Sequence, residues 1–208
     1  MPTNFILQGL IIGFSIAAPV GPIGILCIRR TLAEGRLTGF ISGLGAASAD
    51  AVYGSIAAFG LTAISSFLVT QLLWMRLIGG FFLLYLGIRI FRAKPASQAA
   101  DSRRGGLPSA FLSTFFLTIT NPMTILSFAA IFAGLGLGQT RGNLGGAAVL
   151  VAGVFLGSAA WWLTLSGLVG LFRERINEKT LAWVNRIAGL IIIIFGLVAL
   201  FGIVVFLK

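Results

Sequence analysis

Apolar runs long enough to cross a lipid bilayer recur along this chain, and they restrict its fold more than any other feature. A hydrocarbon core of about 30 Å takes about 20 mostly apolar helical residues to span. In lipid every backbone N–H and C=O needs an internal partner, so only helices and closed barrels cross it. Six runs meet that length: Phe5–Ile28, Thr38–Thr62, Leu72–Arg89, Ala110–Gly134, Ala147–Leu171 and Trp183–Leu207. Of the 208 residues 58% are hydrophobic and only 10% are charged, where a soluble domain carries about 25% charged residues. The class expected is all-α: a polytopic membrane protein with six transmembrane helices. The first run has no basic stretch before it and no small-residue cleavage site, so it reads as part of the fold rather than as a signal peptide.

The charges fall between the runs. Arg29, Arg30 and Arg36 follow the first, Arg89, Arg92, Lys94, Arg103 and Arg104 the third, and Arg173, Arg175, Lys179 and Arg186 the fifth. Arg76, Arg141 and Lys208 are the basic residues left for the other side. Basic residues concentrate in cytoplasmic loops. Loops one, three and five are therefore expected in the cytoplasm and both termini outside. The net charge of +10 is explained by orientation. With no soluble basic domain to carry it, nucleic acid is not an expected partner; the lipid bilayer is. Arg76 beside Trp74, and Arg186 near Trp183, read as interfacial anchors.

The chain reads as a single transporter domain, 1–208, made of two similar halves. "GPIGIL" at 21–26 matches "NPMTIL" at 121–126. Two further blocks keep the order: residues from Gly43 with those from Gly153, and from Leu72 with those from Leu181. In the second block Gly60/Gly170 and Leu61/Leu171 coincide. Repeat one is placed at 1–92, a polar Pro/Gly-containing cytoplasmic linker at 93–108 and repeat two at 109–208. Three spans per repeat is an odd number, so the second repeat is expected inverted across the membrane. Inverted repeats with Gly/Pro-interrupted helices at corresponding places mark secondary transporters.

Within the first run, "SIAAPVGPIGIL" sets Pro19, Gly21, Pro22 and Gly24 where a helix would otherwise continue. Proline lacks the amide hydrogen and clashes with the preceding turn. Pro122, after Asn121 and before Met123 and Thr124, repeats the interruption in the fourth run. Proline suits a first helical turn, so half-helices are expected to start at Pro22 and Pro122. Their amides and positive dipole ends would face an anionic group such as a substrate carboxylate. Asp50 is the only acid deep inside a run. Buried membrane acids are costly and usually face a cavity, so Asp50 is expected to meet a substrate amine or to carry a coupling proton. Tyr53 shares its helix side at a spacing of three, and Ser48 and Ser55 flank that face. Alignment of the halves puts Ala160 opposite Asp50, followed by Trp161 and Trp162. The candidate binding set is thus Pro19, Gly21, Pro22, Gly24, Asp50, Tyr53, Asn121, Pro122 and Thr124.

Other chemistries lack their residues. There is no histidine and one cysteine, Cys27, which excludes an internal disulfide and a paired-thiol relay. No Ser–Lys pair lies within the runs, so a nucleophilic enzyme is not expected. No metal or other cofactor is called for.

With these residues in view, the chain resembles the LysE/RhtB family of amino-acid exporters over essentially its whole length. The resemblance rests on "APVGPIG", "GLGAASAD", "RLIGGFFLLYLGIRIF" and "TNPMTIL". It departs at Met123, where many members carry lysine directly after Asn-Pro. The resemblance implies a six-span, two-repeat carrier of the bacterial inner membrane, exporting amino acids or close derivatives by proton-driven antiport. It leaves a homodimer open. A passive channel is one alternative. The wider superfamily includes heavy-metal exporters, but metal transport would want histidines, thiols or clustered carboxylates.

Overall fold

In the computed structural model, described for residues 2–19, 21–59, 70–93, 95–134, 144–173 and 177–206, all regular structure is helical. Among the described residues eight helices follow in order: α1 Pro2–Ala17, α2 Pro22–Glu34, α3 Arg36–Ala58, α4 Leu72–Phe91, α5 Pro95–Ile119, α6 Pro122–Gly134, α7 Leu144–Gly170 and α8 Glu178–Phe206. Thr62, Gly60, Leu61, Lys94, Arg141, Arg175, Leu207 and Lys208 lie outside the described residues.

Three of these helices, α4, α7 and α8, are each long and apolar enough to cross a membrane. Two bent pairs reach that length together. α1 and α2 meet at 81°, and the part of α5 after Gly106 meets α6 at 62°. The chain is a multi-pass membrane protein. Both interruptions read from proline are present: α2 begins at Pro22 and α6 at Pro122. Gly21 precedes α2 in extended backbone (φ −103°, ψ −164°), and Pro22 occupies the first helical position.

The other expected span, Thr38–Thr62, differs. α3 has the length, at 23 residues, but falls short of the apolarity of a lipid-facing helix. Its reason is location. α3 packs against α2, α5 and α7, and its surface is built of Gly, Ala and Ser around the buried Asp50. A helix enclosed by protein has no need to match lipid.

A second difference concerns the first loop. Arg29 and Arg30 are not loop residues but lie inside α2, both buried. The connection to α3 is the single residue Gly35, at φ 108° and ψ 166°. Its amide donates to the carbonyls of Arg30 (3.2 Å) and Thr31 (3.1 Å), closing the helix end. Only glycine adopts that backbone without strain. The third difference is the stretch read as a linker, 93–108. It is helical from Pro95, with a turn in the axis at Gly106 (φ 56°, ψ −169°) just before Pro108.

The major pairings are α1 with α7, α3 with α5, α3 with α7, and α4 with α8. Exchanging α1 for α5, α3 for α7 and α4 for α8 maps this set onto itself. Glycine makes these pairings close. A Cβ at Gly9 would collide with the Leu150 carbonyl, and one at Gly157 with the Leu10 carbonyl. Between α4 and α8, Gly87 and Gly189 stand in the same relation to each other's backbones. Without a hydrophobic drive between helices in lipid, such backbone approach is the main source of association.

Two apolar clusters flank the middle of α3. One holds Ala17, Ile23, Leu26, Ala46, Ala47 and Trp162 among others. The other holds Tyr53, Ile125, Phe128 and Val154, with Ile16 and Ile119 against them. The first gathers the start of α2 and the second the start of α6. Each cluster sets residues of one half-helix against α3, with Ala46 and Ala47 in the first and Tyr53 in the second.

Candidate functional site

Asp50 sits on α3 with 3% of its surface exposed. Its Oδ2 accepts a hydrogen bond from Ser158 Oγ of α7, at 2.7 Å. Ser158 Oγ in turn accepts from Trp162 Nε1, one turn on, at 3.2 Å. An indole N–H can only donate. That contact occupies a lone pair on the serine oxygen and leaves the hydroxyl hydrogen directed at Asp50. With Asp50 ionised the chain runs from Trp162 to Ser158 to Asp50, with Oδ2 as acceptor. Among the described residues no basic side chain pairs with Asp50.

Tyr53 lies one turn beyond Asp50 and is also buried. Its hydroxyl donates to the backbone carbonyl of Ile119, the last residue of α5. The interruption explains that bond. In an uninterrupted helix the Ile119 carbonyl would accept the Met123 amide. Here Met123 N donates instead to Asn121 Oδ1, at 3.1 Å. Asn121 is the N-cap of α6, Pro122 its first residue, and the released carbonyl goes to Tyr53. Asn-Pro is a cap followed by the residue best suited to the first helical position. Tyr53 also packs its ring on Phe128 of α6, with centroids 5.5 Å apart.

The start of α2 is built differently. Gly21 has no side chain, so no side-chain cap engages the first amides. A Cβ placed on Gly21 would meet no described atom within 4 Å. Pro22 and Gly24 are buried and Gly21 is half-buried. The expected residues therefore separate by role. Tyr53 meets the end of α5 and the start of α6 through Ile119 and Phe128, where Asn121, Pro122 and the buried Thr124 also lie, while Asp50 meets Ser158 of α7. Gly21, Pro22 and Gly24 stand at the start of α2, whose Ile23 lies in the cluster with Ala46 and Ala47 of α3. Pro19 is exposed on the turn before α2, because the break comes after α1 has ended at Ala17. Met123 points outward, 66% exposed.

Replacing Asn121 with alanine removes the cap that holds the Met123 amide. Caps of this kind contribute about 1 kcal/mol. The Asn121→Ala protein is expected to lose about that much in thermal or denaturant unfolding in detergent. Asn121→Ser, which keeps a neutral capping oxygen, should lose little.

Ser158 is not among the residues that the sequence singles out, although the offset that pairs Gly43 with Gly153 also pairs Ser48 with Ser158. The signal available was chemical: a buried carboxylate needs a donor, and Ser158 is a hydroxyl on the Gly-lined face of Gly153 and Gly157. Nor does the sequence single out Asn185, fully buried on α8, whose Oδ1 accepts from Arg29 Nε at 3.1 Å. An apolar cleft of about 300 Å³ lies between α1 and α7, lined by Leu10, Ile11, Phe14, Ser15, Gly157 and Ala160. None of the expected site residues lines it.

Comparison with known proteins gives a consistent set of relatives. A Bacillus subtilis (strain 168) protein named "Putative amino acid efflux protein YcgF" is 30% identical over 198 residues, covering 93% of each chain. The threonine efflux protein of Salmonella typhimurium is 26% identical over 189 residues, 85% of this chain and 88% of that one. The leucine efflux protein of the same organism is 26% identical over 121 residues, 57% of each. No solved structure matches. The family model described as LysE type translocator matches residues 14–202, nearly the whole chain including both helix breaks, Asp50 and Ser158: the chain belongs to the LysE type translocator family.

Proposed function

We propose that this protein exports amino acids or close derivatives from the cytoplasm of a bacterium across its inner membrane, by proton-coupled alternating access around Asp50. The observation that carries the reading is the placement of Asp50: a buried carboxylate held by a neutral serine, on a helix against which residues of both bent helix pairs pack. An acid with no basic partner among the described residues is available to a cation that comes and goes. Because Oδ2 is committed to Ser158, the proton or the substrate amine meets Oδ1. The uncapped amides at the start of α2, Gly21 to Gly24, supply a positive helix end for the carboxylate. Asn121 spends its side chain on its own helix, so at the second break Thr124 is the group left for substrate. Relatives named for amino acid, threonine and leucine efflux support the substrate class.

The reading includes two inverted three-helix repeats with both termini outside. The reciprocal helix pairings and the equivalent breaks at Pro22 and Pro122 support it. Transport in this scheme exchanges one repeat's packing against the other about a fixed site.

The test is purified protein in proteoliposomes carrying a panel of labelled amino acids, with and without a pH gradient. Efflux of at least one amino acid is expected to saturate and to follow the gradient. Flux that neither saturates nor responds to pH would make the protein a passive channel. Failure of every amino acid on the panel would remove the substrate class.

A further inference from the structure

The second half of α2 carries two adjacent arginines, Arg29 and Arg30, each only 8% exposed. Buried cations are normally paired with carboxylates. Arg30 is not. Its Nη1 donates to Ser42 Oγ on α3 (2.9 Å), to the Ala110 carbonyl (3.0 Å) and to Thr114 Oγ1 (2.9 Å). Its Nη2 donates to Ser113 Oγ at 2.8 Å. Ala110, Ser113 and Thr114 all belong to α5, shortly after the turn at Gly106. One guanidinium thus ties α2 to a helix of its own half and to a helix of the other half. Arg29 adds a second tie across the halves, through Nε to Asn185 Oδ1 of α8, and reaches Glu34 on its own helix at 3.4 Å.

We infer that Arg30, seated among the oxygens of Ser42, Ala110, Ser113 and Thr114, is the clasp that closes the cytoplasmic side of the protein by fastening α2 to α5. The inference rests on the alternating-access reading and on the orientation that puts the Gly35 turn in the cytoplasm. Its chemistry suits a contact made and broken repeatedly. An Arg–carboxylate pair in a dry setting is difficult to open, because separation leaves two bare charges. Neutral hydroxyls and a carbonyl hold the cation, yet on opening lose only hydrogen bonds that water replaces. The planar fork lets one side chain reach all four oxygens, and a lysine ammonium cannot. The same arrangement accounts for arginines being buried at a place where orientation alone would have left them in a loop.

The protein carries its own reporter. Cys27 is the single cysteine of the chain; it is buried on α2 one turn before Arg30, and Thr31 Oγ1 donates to its carbonyl at 2.8 Å. The experiment measures alkylation of Cys27 by a membrane-impermeant maleimide in inside-out and in right-side-out vesicles. The proteins are wild type, Arg30→Lys and Thr114→Val; the last removes one acceptor and leaves the arginine in place. In inside-out vesicles both variants are expected to label at least about tenfold faster than wild type, the scale of losing a hydrogen bond to a charged donor. In right-side-out vesicles all three label at the slow wild-type rate. The inference is overturned if neither variant labels faster, or if both label faster from both sides, as a generally loosened protein would. Acceleration confined to right-side-out vesicles overturns the cytoplasmic assignment while leaving the clasp itself. The assay needs no substrate, so it stands or falls separately from the transport measurement.

Discussion

Asp50→Asn is expected to abolish gradient-driven efflux while leaving the fold as stable as before. The argument is geometric and electrostatic together. Asparagine is nearly the same size and keeps a carbonyl oxygen where Oδ2 accepts from Ser158 at 2.7 Å. The Trp162–Ser158 chain therefore survives, and so does the packing of α3 on α7. What is lost is the charge and the ability to take up a proton. Burying a carboxylate without a basic partner costs stability, so the melting temperature in detergent should be unchanged or higher. Transport has no such compensation. Taking one partner from a buried charge pair costs about 3–5 kcal/mol, which corresponds to more than about 100-fold in binding. Efflux rates from loaded vesicles should fall by at least that factor and lose their dependence on the pH gradient. Asp50→Ala separates the two effects, because it also strands the Ser158 hydroxyl and should destabilise by about 1–3 kcal/mol. Undiminished pH-driven efflux in Asp50→Asn would take Asp50 out of the mechanism.

Ser158→Ala is a milder perturbation of the same chain. It leaves the charge of Asp50 but removes the hydrogen bond that commits Oδ2. Activity between those of wild type and Asp50→Asn, without loss of gradient dependence, would mark Ser158 as the residue that orients the acid.

Much of this arrangement is legible in the residues, for identifiable reasons. Proline leaves a strong local mark, so the helix starts at Pro22 and Pro122 follow from the missing amide alone. Asp50 stands out because an acid in an apolar run has no ordinary explanation. The polar network is not legible in the same way, because it depends on which helices touch. Ser158 is one hydroxyl among many until α7 is laid against α3. Arg29 and Arg30 are the instructive failure. Two arginines at the end of an apolar run have the composition of a cytoplasmic loop, and charge-counting treats them so. The local sequence carried the correcting signal in Gly35. A glycine closing "RRTLAE" is a helix C-terminal signature, and it implies that the helix continues through both arginines into the protein. The enclosed character of α3 was hidden similarly. Its small residues lower its apolarity, and only its neighbours on α2, α5 and α7 explain why that is tolerated.

Tyr53→Phe should have the next largest effect, and it tests whether the break before α6 is a held structure or a passive kink. In lipid a carbonyl released from a helix has no water to turn to. The Ile119 carbonyl is released because Asn121 takes the Met123 amide (3.1 Å), and the Tyr53 hydroxyl replaces it. Phenylalanine keeps the ring against Phe128 and the volume of the buried cluster, so no cavity term enters. The loss is the stranded acceptor, about 1–3 kcal/mol, read as a lower midpoint in thermal unfolding in detergent. A second consequence distinguishes function from stability. Tyr53 is the link between the helix bearing Asp50 and the broken span, so its removal lets the start of α6 move relative to the acid. Efflux is therefore expected to fall about tenfold at temperatures where the variant is fully folded, a loss of about 1.4 kcal/mol in positioning. Adding Asn121→Ala should lower stability further, because the Met123 amide then loses its cap while Pro122 still bars the helix from closing across the break. If Tyr53→Phe neither destabilises the protein nor slows export, the hydroxyl is not what holds the break open, and packing of Ile125 and Phe128 against α3 must maintain it alone.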